Sequence, residues 1–89
     1  MNQLAVSLAG HDKNRVYAVV SENDEAVILA DGRIRTLEKP KKKNPRHIRR
    51  IAHLPEEIVK ALEDVSRDSD LVHVLRLYQT YRKEESLQD

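Results

Sequence analysis

Val16-Tyr17-Ala18-Val19-Val20-Ser21-Glu22-Asn23-Asp24-Glu25-Ala26-Val27-Ile28-Leu29-Ala30-Asp31-Gly32 is the stretch that decides the fold. Its apolar runs, Val16 to Val20 and Ala26 to Ala30, have strand length and are rich in β-branched residues, which suit a pleated, half-buried surface. The polar link between them suits a hairpin in which Asn23-Asp24 tolerates positive φ. Asp31-Gly32 is a tight-turn signal. Beyond it, Arg33-Ile34-Arg35-Thr36-Leu37 alternates with period two, predicting a further strand with Ile34 toward the core and both arginines toward solvent. Upstream, Leu4-Ala5-Val6 is short and apolar, and Ala9-Gly10 marks a turn. Three or four short strands joined by tight turns predict a small, curled antiparallel sheet or barrel.

Downstream the pattern changes. Pro40 and Pro45 each lack a ladder donor, so Lys39 to Pro45 is expected to be an extended, flexible loop. Ile48, Ile51 and Leu54 recur every third residue, which predicts a short helical turn within Arg46 to His53. Pro55 suits the first turn of a helix, and Glu56-Glu57 complement the positive end of its dipole. Ile58, Ala61, Leu62 and Val65 form one apolar stripe. After an interruption at Ser66 to Ser69, where Asp68 or Ser69 can cap a second helix, Leu71, Val74, Leu75, Tyr78 and Tyr81 line one face. The expected fold is mainly β with C-terminal helices: a small antiparallel sheet or barrel, then two α-helices in a hairpin or one bent helix.

Composition narrows the function. The 89 residues contain no Cys, Phe or Trp, so disulfides and thiolate metal sites are excluded and the core is aliphatic. No apolar run reaches the roughly 18–20 residues of a spanning helix, and Met1 to Gly10 lack the pattern of a signal peptide. A cytoplasmic location and no membrane partner are expected. The formal net charge of +1 hides a strong asymmetry. Residues 33–53 hold nine basic side chains and one acidic, while the flanking segments are both net acidic. A block of this kind points to a polyanionic partner.

Lys39, Lys41, Lys42 and Lys43 lie around Pro40, followed by Arg46, Arg49 and Arg50 with His47 interleaved. Phosphate backbones reward such an array through counterion release and bidentate arginine contacts. A solvated linker and an anionic lipid surface are the competing uses. His11, His47, His53 and His73 form no i, i+4 metal pair, so no metal or other cofactor is expected. Tyr17 either stacks on a base or covers a core edge. No nucleophile elbow or phosphate-cradling glycine loop is present, which argues against an enzyme. The alternative class is a protein-interaction adaptor or dimerisation module using Leu71, Leu75, Tyr78 and Tyr81.

Ser7-Leu8-Ala9-Gly10-His11-Asp12-Lys13-Asn14-Arg15-Val16-Tyr17-Ala18-Val19-Val20 resembles a KOW motif: an apolar strand, a glycine-bearing basic loop and a second apolar strand. The continuation from Ile28 through Asp31-Gly32-Arg33 and Lys39-Pro40-Lys41-Lys42-Lys43 to His47 resembles small bacterial KOW-domain RNA-binding proteins. These are similar to KOW-bearing large-subunit ribosomal proteins of archaea and eukaryotes. The resemblance covers residues 2–48. It implies an SH3-like barrel over 1–48, a helical appendage over 49–89, and binding of structured ribosomal RNA in ribosome structure, assembly or translation. By the same resemblance Gly10 matches the motif glycine, and Asp12, Lys13 and Arg15 its polar loop. Arg33, Arg35, Lys39 and Lys41 to Lys43 match the basic tract. Two positions depart from the pattern. Asn14 stands where a second glycine is usual, and His11 where a basic residue is common.

Overall fold

A computed structural model describes residues 1–87. Five strands, β1 (Leu4–Ser7), β2 (Val16–Glu22), β3 (Val27–Ala30), β4 (Lys41–Lys43) and β5 (Ile48–Arg50), form one antiparallel sheet in the order β4-β3-β2-β1-β5. Two helices follow, α1 (Glu56–Glu63) and α2 (Asp68–Leu87). The expected antiparallel sheet with two C-terminal helices is therefore present. No hydrogen-bonded ladder joins β4 to β5, so the sheet is open.

Strand parity gives the sheet two buried faces. Leu4, Ala18 and Ala30 lie on the outer face and pack against Ile58 and Leu62 of α1 and Leu71, Val74 and Tyr78 of α2. Two of the three sheet positions are alanine, which lets the helices approach closely. The inner face carries Ala5, Tyr17, Val19, Val27, Leu29 and Ile48, none more than 8% exposed. That cluster contains strand residues only, so these side chains are buried against one another by curvature of the sheet. Two features impose the curl. Val20 is an extra residue between the pairs Val19↔Leu29 and Ser21↔Ile28, a bulge that bends β2. The edge strands β4 and β5 would lie about 19 Å apart in a flat five-stranded sheet. They are joined through a single 3-10 turn, Pro45–His47, capped by Asn44, whose Oδ1 accepts from the Arg46 amide at 2.9 Å.

Four expectations are corrected. Arg33 to Leu37 is not a strand, and Ile34 is 66% exposed. Asp31 Oδ1 accepts from the amides of Arg33 (3.0 Å) and Arg35 (2.9 Å), while the Asp31 and Gly32 amides both donate to the Arg35 carbonyl. This local wrap uses the backbone groups that a ladder would need. Second, Lys41 to Lys43 are a strand and not a flexible loop. Pro40 and Pro45 bracket the run without interrupting it, and an edge strand pairs on one side only. Third, Ile48 to Arg50 pair with β1, and the helical turn falls earlier, at Pro45–His47. The three-residue spacing arises because Ile48 enters the inner core while Ile51 and Leu54 pack on the outer one. Fourth, the β2–β3 turn needs no positive φ: Asn23 Oδ1 accepts from the Glu25 and Ala26 amides, at 2.8 and 2.9 Å.

The helical pattern matches its stripes, with one change at the second N-terminus. Asp70 Oδ2 reaches back to the amides of Ser66 (3.1 Å) and Arg67 (3.0 Å), in the manner of a capping box. Those backbone bonds hold the Asp70 carboxyl below its ordinary value. Asp68 turns the other way and accepts from the Leu37 amide at 2.8 Å, fastening the 31–37 wrap to α2.

Candidate functional site

The basic residues divide into two sets, and the parity of β4 makes part of the division. Lys41 and Lys43 stand opposite Leu29 and Val27, both inner-face residues, whereas Lys42 stands opposite Ile28. Successive side chains alternate across a strand, so Lys41 and Lys43 turn inward and Lys42 is exposed. What receives the inward ammonium groups is Asp12, on the loop between β1 and β2.

Asp12 is 8% exposed. Its Oδ1 accepts from Lys43 Nζ at 2.7 Å and Ser7 Oγ at 2.9 Å, and its Oδ2 accepts from the Tyr17 hydroxyl at 2.9 Å. Lys41 Nζ lies 2.9 Å from Oδ2. Lys43 Nζ also donates to Ser7 Oγ (2.6 Å) and the Ala9 carbonyl (2.7 Å), filling its three donor positions. Burial by itself raises the Asp12 pKa. The hydrogen bonds from Lys43, Lys41, Ser7 and Tyr17 together outweigh it and hold the carboxyl far below the usual carboxylate range. Burial, with the adjacent Asp12 charge, pushes the Tyr17 hydroxyl up to about 12. Tyr17 is thus a core residue with its polar end satisfied by Asp12, which settles the choice left open by sequence.

The loop that carries Asp12 is compact. Ser7 donates from its amide to the Arg15 carbonyl and accepts at its own carbonyl from the Asn14 amide. Gly10 has φ 88° and Asn14 has φ 74°, a left-handed conformation that asparagine tolerates better than most residues. With Asp12 drawn inward, His11, Lys13 and Arg15 project to solvent. The Leu8 amide donates to the His47 carbonyl at 2.8 Å, which sets this loop beside the 3-10 turn bearing Arg46 and His47.

Arg50 is engaged elsewhere. It forms a two-pronged ion pair with Glu22 at 2.8 and 2.9 Å and donates to Gln3 Oε1 at 2.7 Å. Arg33, Arg35, Lys39, Lys42, Arg46, His47 and Arg49 are exposed. Among the described residues, Lys13, Arg15, Arg33, Arg35, Lys39, Lys42, Arg46 and Arg49 take part in no salt bridge.

A further arginine outside the basic segment joins this set. Arg76 of α2 lines a groove of about 480 Å³ together with Arg15 and Arg33. A lone arginine on an exposed helix face carries no sequence signal, and the Asp31 wrap that brings Arg33 there was read as a strand. On α2, Leu71 and Tyr78 are buried in the chain's own core and Leu75 and Tyr81 pack on its margin. Among the described residues no group of three or more His, Asp or Glu side chains could hold a metal ion, and no helix is long and apolar enough to cross a membrane. A scan of protein families and a search of curated proteins find no family model and no curated protein that matches this chain.

Proposed function

We propose that the chain is an RNA-binding protein that contacts structured ribosomal RNA in ribosome structure, assembly or translation. The observation that carries this reading is the division of the cations. Asp12 takes up the two lysines that face inward. Among the described residues, Lys13, Arg15, Arg33, Arg35, Lys39, Lys42, Arg46 and Arg49 stay exposed and form no salt bridge. Their spread over one loop, one wrap, one edge strand and the segment that follows it suits a phosphate backbone, which is long and uniformly charged. The inner core, buried by the sheet's own curl, supports a small SH3-like barrel, in line with the KOW resemblance. A rigid curled sheet also suits recognition of RNA by shape and phosphate position.

Filter binding to a structured RNA tests this. A protein neutralising Z phosphates shows log K falling with log salt at a slope of about −0.7Z to −0.9Z. Replacing Lys13 and Arg15 by Glu should weaken binding and flatten that slope. Affinity that ignores salt, or survives these replacements unchanged, overturns the proposal. Co-sedimentation with ribosomes, lost on RNase treatment, separates ribosomal RNA from other RNA.

A further inference from the structure

The groove at Arg15, Arg33 and Arg76 differs from the rest of the exposed basic surface in having an apolar floor. It lies where the start of β2, the Asp31 wrap and α2 meet. Val16, Val72 and Leu75 line it, and Ile34 stands beside them, 66% exposed. A large apolar side chain held at a rim by a hydrogen-bonded wrap is an open hydrophobic contact waiting for a planar or apolar group. Asn14 and Gln79 add two amide side chains to the lining. Among the described residues only one carboxylate lines the groove, that of Asp31, and its Oδ1 already accepts from the Arg33 and Arg35 amides. Three guanidinium groups against that one carboxylate make the groove cationic. Its volume of about 480 Å³ is that of a small-molecule pocket.

We propose that this groove receives a single unpaired nucleotide of the bound RNA, and this rests on the RNA-binding reading above. An isolated phosphate would need the arginines but not the apolar floor. An apolar peptide side chain would need the floor but not three arginines. A nucleotide needs both, with its base on Val16, Val72, Leu75 and Ile34 and its flanking phosphates on Arg15, Arg33 and Arg76. Arginine planes also stack on bases, and amides pair with base edges, so Asn14 and Gln79 are the groups able to discriminate among bases. The groove therefore converts a phosphate-tracking surface into one that prefers a bulge or loop.

The test compares two short RNA duplexes of the same length, one fully paired and one with a single bulged nucleotide. The full chain should bind the bulged RNA about tenfold more tightly, the scale of one well-made base contact. The double replacement Ile34→Ala with Gln79→Ala, at two exposed positions, should bring the ratio of the two affinities to about one. Lys42→Glu, outside the groove, should weaken both RNAs together and preserve the ratio. Equal, salt-sensitive binding of both RNAs by the unaltered chain overturns the groove assignment and leaves the RNA-binding reading standing. Binding of neither RNA overturns both. Amide shifts at Asn14, Ile34 and Gln79 on adding an acidic, leucine-bearing peptide, with none on adding the bulged RNA, assign the groove to a protein partner and overturn the proposal.

Discussion

Replacing Asp12 by Asn removes one negative charge from beside two ammonium groups while barely changing side-chain shape. The Lys43 side chain is 8% exposed and that of Lys41 24%, with Nζ atoms 2.7 and 2.9 Å from the carboxylate. At an effective dielectric near 20, each pair gains roughly 6 kcal/mol before desolvation is counted. Breaking a buried pair from one side costs about 3–5 kcal/mol, because the surviving charge is stranded. Lys41 can turn to solvent, whereas Lys43 is held by Ser7 and the Ala9 carbonyl, so most of the loss arises at Lys43. A loss of about 3–4 kcal/mol is expected, against roughly 4–13 kcal/mol for the whole stability of a chain this size. Urea denaturation followed by far-UV circular dichroism measures it. Lys43→Met added to Asp12→Asn removes the stranded charge, so the double replacement should be at least about 2 kcal/mol milder than the sum of the singles. The pH dependence has a definite sign. The folded carboxyl titrates well below its unfolded value of 3.8, so the unfolded chain takes up the proton first. The contribution is complete above about pH 5 and declines as pH falls through the unfolded value toward the folded one. Asp12→Asn should lack that acid decline. A loss under about 1 kcal/mol, or strict additivity with Lys43→Met, would refute the reasoning.

Two other perturbations follow from the same contacts. Tyr17, pushed from 10.0 to about 12, holds its proton longer in the folded chain than in the unfolded one. Its contribution is therefore present below pH 10 and lost as pH rises from 10 to 12, and Tyr17→Phe should abolish this alkaline decline while costing about 1.5–3 kcal/mol at neutral pH. Gly32 has φ 81°, and a Cβ there would stand 2.5 Å from the Asp68 carbonyl oxygen. Gly32→Ala should destabilise by about 2 kcal/mol or more and free the 31–37 wrap from α2, read by urea denaturation and by faster exchange of the Leu37 amide. Wild-type protection at Leu37 in that variant would count against the packing described.

The three N-terminal strands were legible because their apolar runs are short, β-branched and bounded by turn residues. The two helices were legible because their stripes repeat at helical spacing. Arg33 to Leu37 misled for a specific reason: its alternation is real, but Asp31, two residues upstream of Arg33, captures the backbone before a ladder can form. Lys41 to Lys43 misled in the opposite sense. Charge, flanking prolines and the lack of any apolar residue all argue against a strand, and only pairing with Val27 to Leu29 makes one.

The exposed cations from Arg33 to Arg49 were visible as a charge pattern, and Lys13 and Arg15 only through the KOW resemblance. Which cations remain available was not. Asp12, in a loop read as a binding element, meets Lys41 and Lys43 across some thirty residues of chain, and nothing in local composition announces that encounter. Sequence by itself determined the alternation of apolar and polar residues, the turn chemistry, and the concentration of positive charge between Arg33 and His53. These are properties of neighbouring residues, and steric and solvation preferences act on them locally. The curl of the sheet, the burial of Lys43 on Asp12 and the meeting of Arg76 with Arg15 and Arg33 were decided only in three dimensions. They depend on strand register and on which distant faces share a core, and no local preference encodes either.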